Sequence, residues 1–136
     1  MTVLALVSSG KANVMEAQIR KTLPLAETLV VGDAVRQDTS NGKWTGANGT
    51  TTTENRIWGV LVSVDEAGAV GTAVRKGLVD GFDLSAMNYD APVYLSDIDK
   101  KLDTAAGTVS TVVGRVEAGP GTTLGTAADK LLRIDL

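Results

Sequence analysis

From Leu29 onward, short runs of β-branched and other apolar residues alternate with Gly, Asp and Asn at intervals of about ten residues, the rhythm of an all-β sandwich or barrel. "AVRQ" reads as a strand, "DTSNG" as a turn and "KWT" as the returning strand, with Asn41-Gly42 as the hairpin signal because both residues tolerate positive φ. "IWGVLVSV" follows as a strand with Trp58, Val60, Val62 and Val64 on one face by period two. "DEAG" turns the chain and "GTAVRKGLV" runs back. "DGFDLSAMNYD" connects to "APVYLS", a strand, "DIDK", a turn, and "KL", a short return. "STVVGRVE" is a strand, "AGPGTTLGTAAD" a loop, and "KLLRIDL" a closing strand with Leu132, Ile134 and Leu136 on one face and Arg133 and Asp135 on the other.

Upstream of Leu29 the pattern is different. "VMEAQIRKTL", Val14 to Leu23, is the one helix candidate, ended by Pro24, with an extended conformation as its alternative. Val3 to Val7 form an uncharged apolar run of good β propensity, followed by Ser8-Ser9-Gly10. Such a strand left loose in water invites aggregation. It either completes the chain's own sheet or adds to a neighbouring subunit, and the second option is the one taken here. Residues 1–28 are therefore expected to be an N-terminal arm and 29–136 a single β domain.

The two parts of that domain echo each other. Asp33-Ala34-Val35 matches Asp90-Ala91-Pro92-Val93 with one inserted proline, and Val35 precedes Lys43-Trp44 by the interval that separates Val93 from Lys101-Leu102. "WGVLV" matches "VGRVE", and "VRKGLV" (Val74 to Val79) takes the place of "KLLRI" (Lys130 to Ile134). The expectation is two tandem related β units, about 32–83 and 90–136, because one such unit cannot cover its own apolar face and two can pack around a shared core.

Composition narrows the chemistry. A chain of 136 residues fits one compact domain. It has no cysteine, hence no disulfide and no thiolate metal site, and no histidine, the commonest general base and transition-metal ligand. The net charge is −3 with no basic stripe, and aromatic residues make up 4%, so neither the electrostatic nor the stacking signature of a nucleic-acid binder is present. No segment is long and apolar enough for a membrane span, and the start of the chain makes a poor signal peptide. No cofactor motif stands out.

The remaining constellations read as architecture. Asp97, Asp99 and Asp103 in "DIDKKLD" faintly suggest a calcium loop. The stretch lacks the sharp-turn glycine and terminal glutamate of that motif and carries two lysines, so it reads as a solvated hairpin turn. "GPGTTLG", Gly119 to Gly125, lacks the Lys-Ser/Thr of a phosphate cradle. Asp80, Asp83 and Asp90 flank the connector, where paired carboxylates would be needed for acid–base work, and nothing in the sequence pairs them. Ser8, Ser9 and Ser85 have no histidine to activate them. Thr50 to Thr53 read as a surface loop. Trp58 reads as core, and Trp44 stands evenly between core and binding surface.

"GDAV" (Gly32 to Val35), the "DGFDLS…APVYLSD" connector, "TVVGRV" (Thr111 to Val116) and "DKLLRIDL" (Asp129 to Leu136) resemble a family of small phage structural proteins, the capsid decoration or cement proteins. The resemblance covers Leu29 to Leu136. It implies a non-enzymatic homotrimer that is made in the host cytoplasm and binds the major capsid protein on the outer surface of the assembled virion. It brings no catalytic, metal or cofactor residues. Related modules in a tail, a baseplate or a head fibre are the alternative, and an enzyme or small-ligand binder using the connector carboxylates is a third reading. The residues expected at a capsid or subunit interface are Val3, Leu4, Leu6 and Val7 of the arm, with Trp44.

Overall fold

A computed structural model describes residues 3–7, 10, 12–65, 67–119 and 130–136. The described chain is all β, a curled sheet forming a half-barrel. Its strands are β1 (Asn13–Pro24), β2 (Ala34–Gln37), β3 (Trp44–Gly46), β4 (Gly59–Val64), β5 (Val70–Asp80), β6 (Pro92–Leu95), β7 (Leu102–Asp103), β8 (Val112–Ala118) and β9 (Lys130–Asp135). The hydrogen-bonded order is β3-β2-β4-β5-β9-β8-β6-β7, with β1 paired to β5.

Of the two conformations open to Val14–Leu23, helix or extended, the extended one is found: the segment is the middle of β1. Ten of its residues, from Asn13 to Pro24, find partners in β5. A helix of this length is marginal in water, and Val14, Ile19 and Thr22 are β-branched, so a ready-made edge on β5 wins.

β5 is the spine of the molecule. Gly71–Val74 pair with β4 and Lys76–Val79 with β9, and both stretches also pair with β1. A strand has two edges, so β4 and β9 share one edge of β5 end to end, opposite β1. The sheet then curls until its two ends meet. Ala34 N–H donates to the Lys100 carbonyl, Lys100 N–H to Ala47 and Gly49 N–H to Ser96, at 2.8–2.9 Å.

The pairings on the two sides of the spine recur. Val35 pairs with Gly59 as Val93 pairs with Gly114. Gln37 pairs with Trp44 as Leu95 pairs with Leu102. Positive φ falls at Gly32 and Gly42 on one side and at Asp90 and Lys100 on the other.

One core cluster gathers Val60, Val74, Val79, Val93, Leu95, Leu102, Val113, Val116, Leu132 and Ile134, and a smaller one gathers Leu29, Val35, Trp44, Leu61 and Ala73. β4 separates them. Its expected single apolar face is divided: Val60 and Val62 pack into the first cluster, while Trp58 and Val64 join Leu61 on the second. For Val64 the cause is a bulge. Leu61 pairs with Ala73 and Ser63 with Thr72, so Val62 is the extra residue, and period two is reset after it.

The segment before β1 does not extend away from the body. Val3 bridges Asp103, Leu4 N–H donates to the Leu102 carbonyl at 2.9 Å, Asp83 N–H donates to Ala5, and Val7 N–H donates to Gly81 at 2.7 Å. Leu4 is buried in the larger core cluster. In this structure the outward reach expected of an arm is replaced by pairing of Val3 and Leu4 with the chain's own β7 and of Ala5 to Val7 with Gly81–Asp83, which withdraws Leu4 from water. Leu4→Ala is expected to lower stability by about 2–3 kcal/mol, and removal of residues 2–7 by at least that much, read from chemical denaturation of the purified protein.

Candidate interaction surfaces

The interface residues named from sequence separate in the structure. Leu4 is enclosed, Val3 and Leu6 are half-buried, and Leu6 lies against Gly32, so that a Cβ there would meet its side chain at 3.1 Å. Val7 is 75% exposed and remains available. Trp44 is fully buried, with its indole N–H donating to the Gly71 carbonyl at 2.9 Å. It presents no surface to a partner here, because β3 turns it into the smaller core cluster. The other tryptophan, expected in the core, is the partly exposed one. Trp58 packs its ring 5.2 Å from that of Trp44, and the Arg75 guanidinium sits 5.6 Å from its centroid. Trp58, Arg75 and Arg56 line an open groove with Gln37 at the end of β2 and Asp38 and Ser40 of the β2–β3 turn.

The acidic turn is not simply solvated. Asp103 is fully buried and accepts from Ser96 Oγ and Ala105 N–H, both at 3.1 Å. Asp97 accepts from Thr108 N–H and Oγ1, both at 2.8 Å, and Asp99 accepts from Asn48 Nδ2 at 3.1 Å. Each carboxylate has its own local partner, and among the described residues no group of three acids gathers around a common point. These bonds tie the β6–β7 turn to neighbouring loops, a role that spacing alone could not reveal because Thr108 and Asn48 are remote in sequence. Of the connector acids, Asp83 accepts from Ser85 N–H and Oγ, and Asp90 lies 4.0 Å from Arg115. Ser85 is thus engaged by a carboxylate. Ser8, Ser9 and most of the Gly119–Gly125 loop lie outside the described residues.

Sequence gave no reason to single out Glu27. It closes the seam where the sheet ends meet. Lys100 Nζ is 2.8 Å from its carboxylate, and Thr45 Oγ1 and Gly46 N–H both donate to Oε2. Burial pushes its pKa up, but these donors outweigh burial and hold it at about 2, against an ordinary 4.5. Asp33, the acid of the "GDAV" stretch, shows the opposite balance. It is almost wholly buried, and burial raises its pKa despite the Val30 N–H bond and Lys101 at 3.7 Å.

The pH consequence differs in sign. A depressed acid contributes stability that is present above its unfolded value and lost as pH falls through the folded one. Glu27 therefore steepens the loss of stability from about pH 4.5 down to about 2. Asp33, with its raised pKa, contributes stability below its unfolded value that is lost as pH rises through the folded one. Glu27→Gln should lower the neutral-pH stability by about 1 kcal/mol and flatten the acid limb, whereas Asp33→Asn should leave neutral-pH stability level or higher; melting curves from pH 2 to 7 test both.

The largest uncovered element is β1. Every residue in it except Leu23 is exposed, including Val14, Met15 and Ile19. Comparison with family models, with curated proteins and with solved structures gives no match.

Proposed function

We propose that this chain is a structural protein of a phage particle that binds the outer surface of the assembled capsid and stabilises it. The observation that carries the reading is where the resemblance falls. "GDAV" opens β2, "APVYLS" forms β6, "TVVGRV" forms most of β8 and "KLLRIDL" forms β9. All four are strands and strand entries that build a sheet. The likeness is therefore one of architecture, as a decoration protein requires, and not of a reactive site.

The same placement supports tandem units over 32–83 and 90–136. Aligned by pairing register, Gly32 matches Asp90, both at positive φ, with no inserted residue, and Gly71–Val74 match Lys130–Arg133. The register favours this match over that of Val74–Val79 with Lys130–Ile134. Superposition of the two units by these pairs is the direct measurement; strands that fail to overlie in the same order would leave the echo as coincidence.

The mechanism is adhesive. Each copy buries surface across neighbouring copies of the major capsid protein and raises the energy needed to separate them. Grouping as a homotrimer multiplies weak contacts through high effective concentration. Co-sedimentation with assembled shells tests the reading: saturable binding to shells, with a fixed copy number and a raised shell melting temperature, is expected. Failure to bind shells, or immunolabelling of tails or baseplates in place of heads, overturns it.

A further inference from the structure

The sheet has three outer edges among the described residues, and the chain covers two of them itself. Along β3, Leu25 forms a parallel bridge with Trp44 and Ala26 N–H donates to the Trp44 carbonyl. Along β7, Val3 bridges Asp103 and Leu4 bonds Leu102. The third and longest edge, β1, has β5 on one side and no described strand on the other. Exposed strand edges are templates for pairing. In a second copy of this chain the β3 and β7 edges are covered in the same way, so the edge it offers to β1 is its own β1.

Charge favours that occupant in one register. Along β1 the ionised side chains are Glu16, Arg20 and Lys21. Antiparallel pairing about a two-fold axis through Gln18 sets Glu16 of each copy opposite Arg20 of the other, twice by symmetry, and Ala17 opposite Ile19. It also sets the exposed Met15 against the aliphatic stem of Lys21. Three register shifts interrupt the β1–β5 pairing: Met15 and Gln18 are skipped on β1, and Arg75 is skipped on β5 between Ile19 and Arg20. The second falls on the proposed axis, and the third restores, from Arg20 on, the register that Glu16 and Ala17 hold against β5. Within its own chain Glu16 accepts from Gln18 Nε2 at 2.8 Å and feels the charge of Arg133 across the sheet, and neither contact encloses it.

We propose that β1 pairs antiparallel with β1 of a second copy about a two-fold axis at Gln18, held by reciprocal Glu16–Arg20 ion pairs. This contact is independent of any capsid partner. Between two single chains it closes a dimer.

Sedimentation velocity of the purified full chain over a concentration series is the test, with Glu16→Arg, Arg20→Glu and the double exchange. Wild-type mass should rise towards a doubled species. Each single variant sets like charges opposite one another and should weaken the doubling about 10-fold or more, while the double exchange restores it. Melting temperatures at the dilute end should stay together, which separates lost pairing from lost folding. A wild-type mass that does not double with concentration, singles that double normally, or a double exchange that fails to restore the doubling overturns the proposal.

Discussion

Gly114→Ala should cost at least about 3 kcal/mol, a drop of about 10 °C in melting temperature for a domain of this size. Gly114 sits in β8 between Val93 of β6 and Ile134 of β9. A Cβ built on it would overlap the carbonyl oxygen of Arg133, which belongs to the backbone of the neighbouring strand and cannot swing aside. Gly59 is the matching position in β4, and a Cβ there would overlap the Val74 carbonyl. The two glycines allow the spine strand and β9 to approach β4 and β8 closely, so Gly59→Ala should behave like Gly114→Ala. Gly42→Ala is the control. Gly42 has φ +71 with open space around it, so alanine there meets only backbone strain, roughly 1 kcal/mol. Thermal melts of the three variants separate close approach from conformational preference. Equal losses at all three would show that the strands have room to move apart.

That pair of glycines also shows what the sequence makes legible. "WGVLV" and "VGRVE" align because both need a glycine at one spot in a strand, and the hairpins align because Gly42 and Lys100 make the same left-handed step seven residues after Val35 and Val93. Local requirements of this kind leave a mark in one sequence. Apolar, β-branched runs set off by Gly, Asp and Asn mark the strands from β2 to β9, with period two readable along β4 and β9. Period two failed where a tertiary neighbour intervened. The bulge at Val62 is imposed by pairing with β5, and it moves Val64 to the other cluster without altering the apolar pattern. β1 has an amphipathic-looking composition that suits helix or strand, and only the remote edge of β5 decides between them. The seam around Glu27 was invisible because Lys100 and Thr45 reach it from distant parts of the chain. Trp44, evenly placed between core and surface by sequence, is the fully buried tryptophan and Trp58 only packs at the edge of the same cluster, because exposure depends on what covers a strand, which period alone does not encode.

Trp44→Ala should destabilise the isolated chain by about 3–5 kcal/mol. Trp44 is the largest fully buried side chain and fills the smaller cluster between Val35, Leu61 and Ala73. Two losses combine. The truncation leaves a cavity that Leu29 and Leu61 cannot fill without moving the strands that carry them. The Gly71 carbonyl also loses its donor from the indole N–H, in a buried site where water does not easily replace it. Trp44→Phe keeps most of the volume and removes the donor, so it should cost about 1–2 kcal/mol and measure the hydrogen bond apart from the cavity. Trp58→Ala should cost less than Trp44→Ala, since Trp58 is only partly buried and its contact with Arg75 lies towards the groove. The comparison also bears on adhesion. A tryptophan acting at a partner surface loses binding on truncation while the free chain keeps its melting temperature. For Trp44 the burial requires the reverse, with the free chain weakened first. An unchanged melting temperature in Trp44→Ala would place that side chain at an interface and break the packing of the smaller cluster described here.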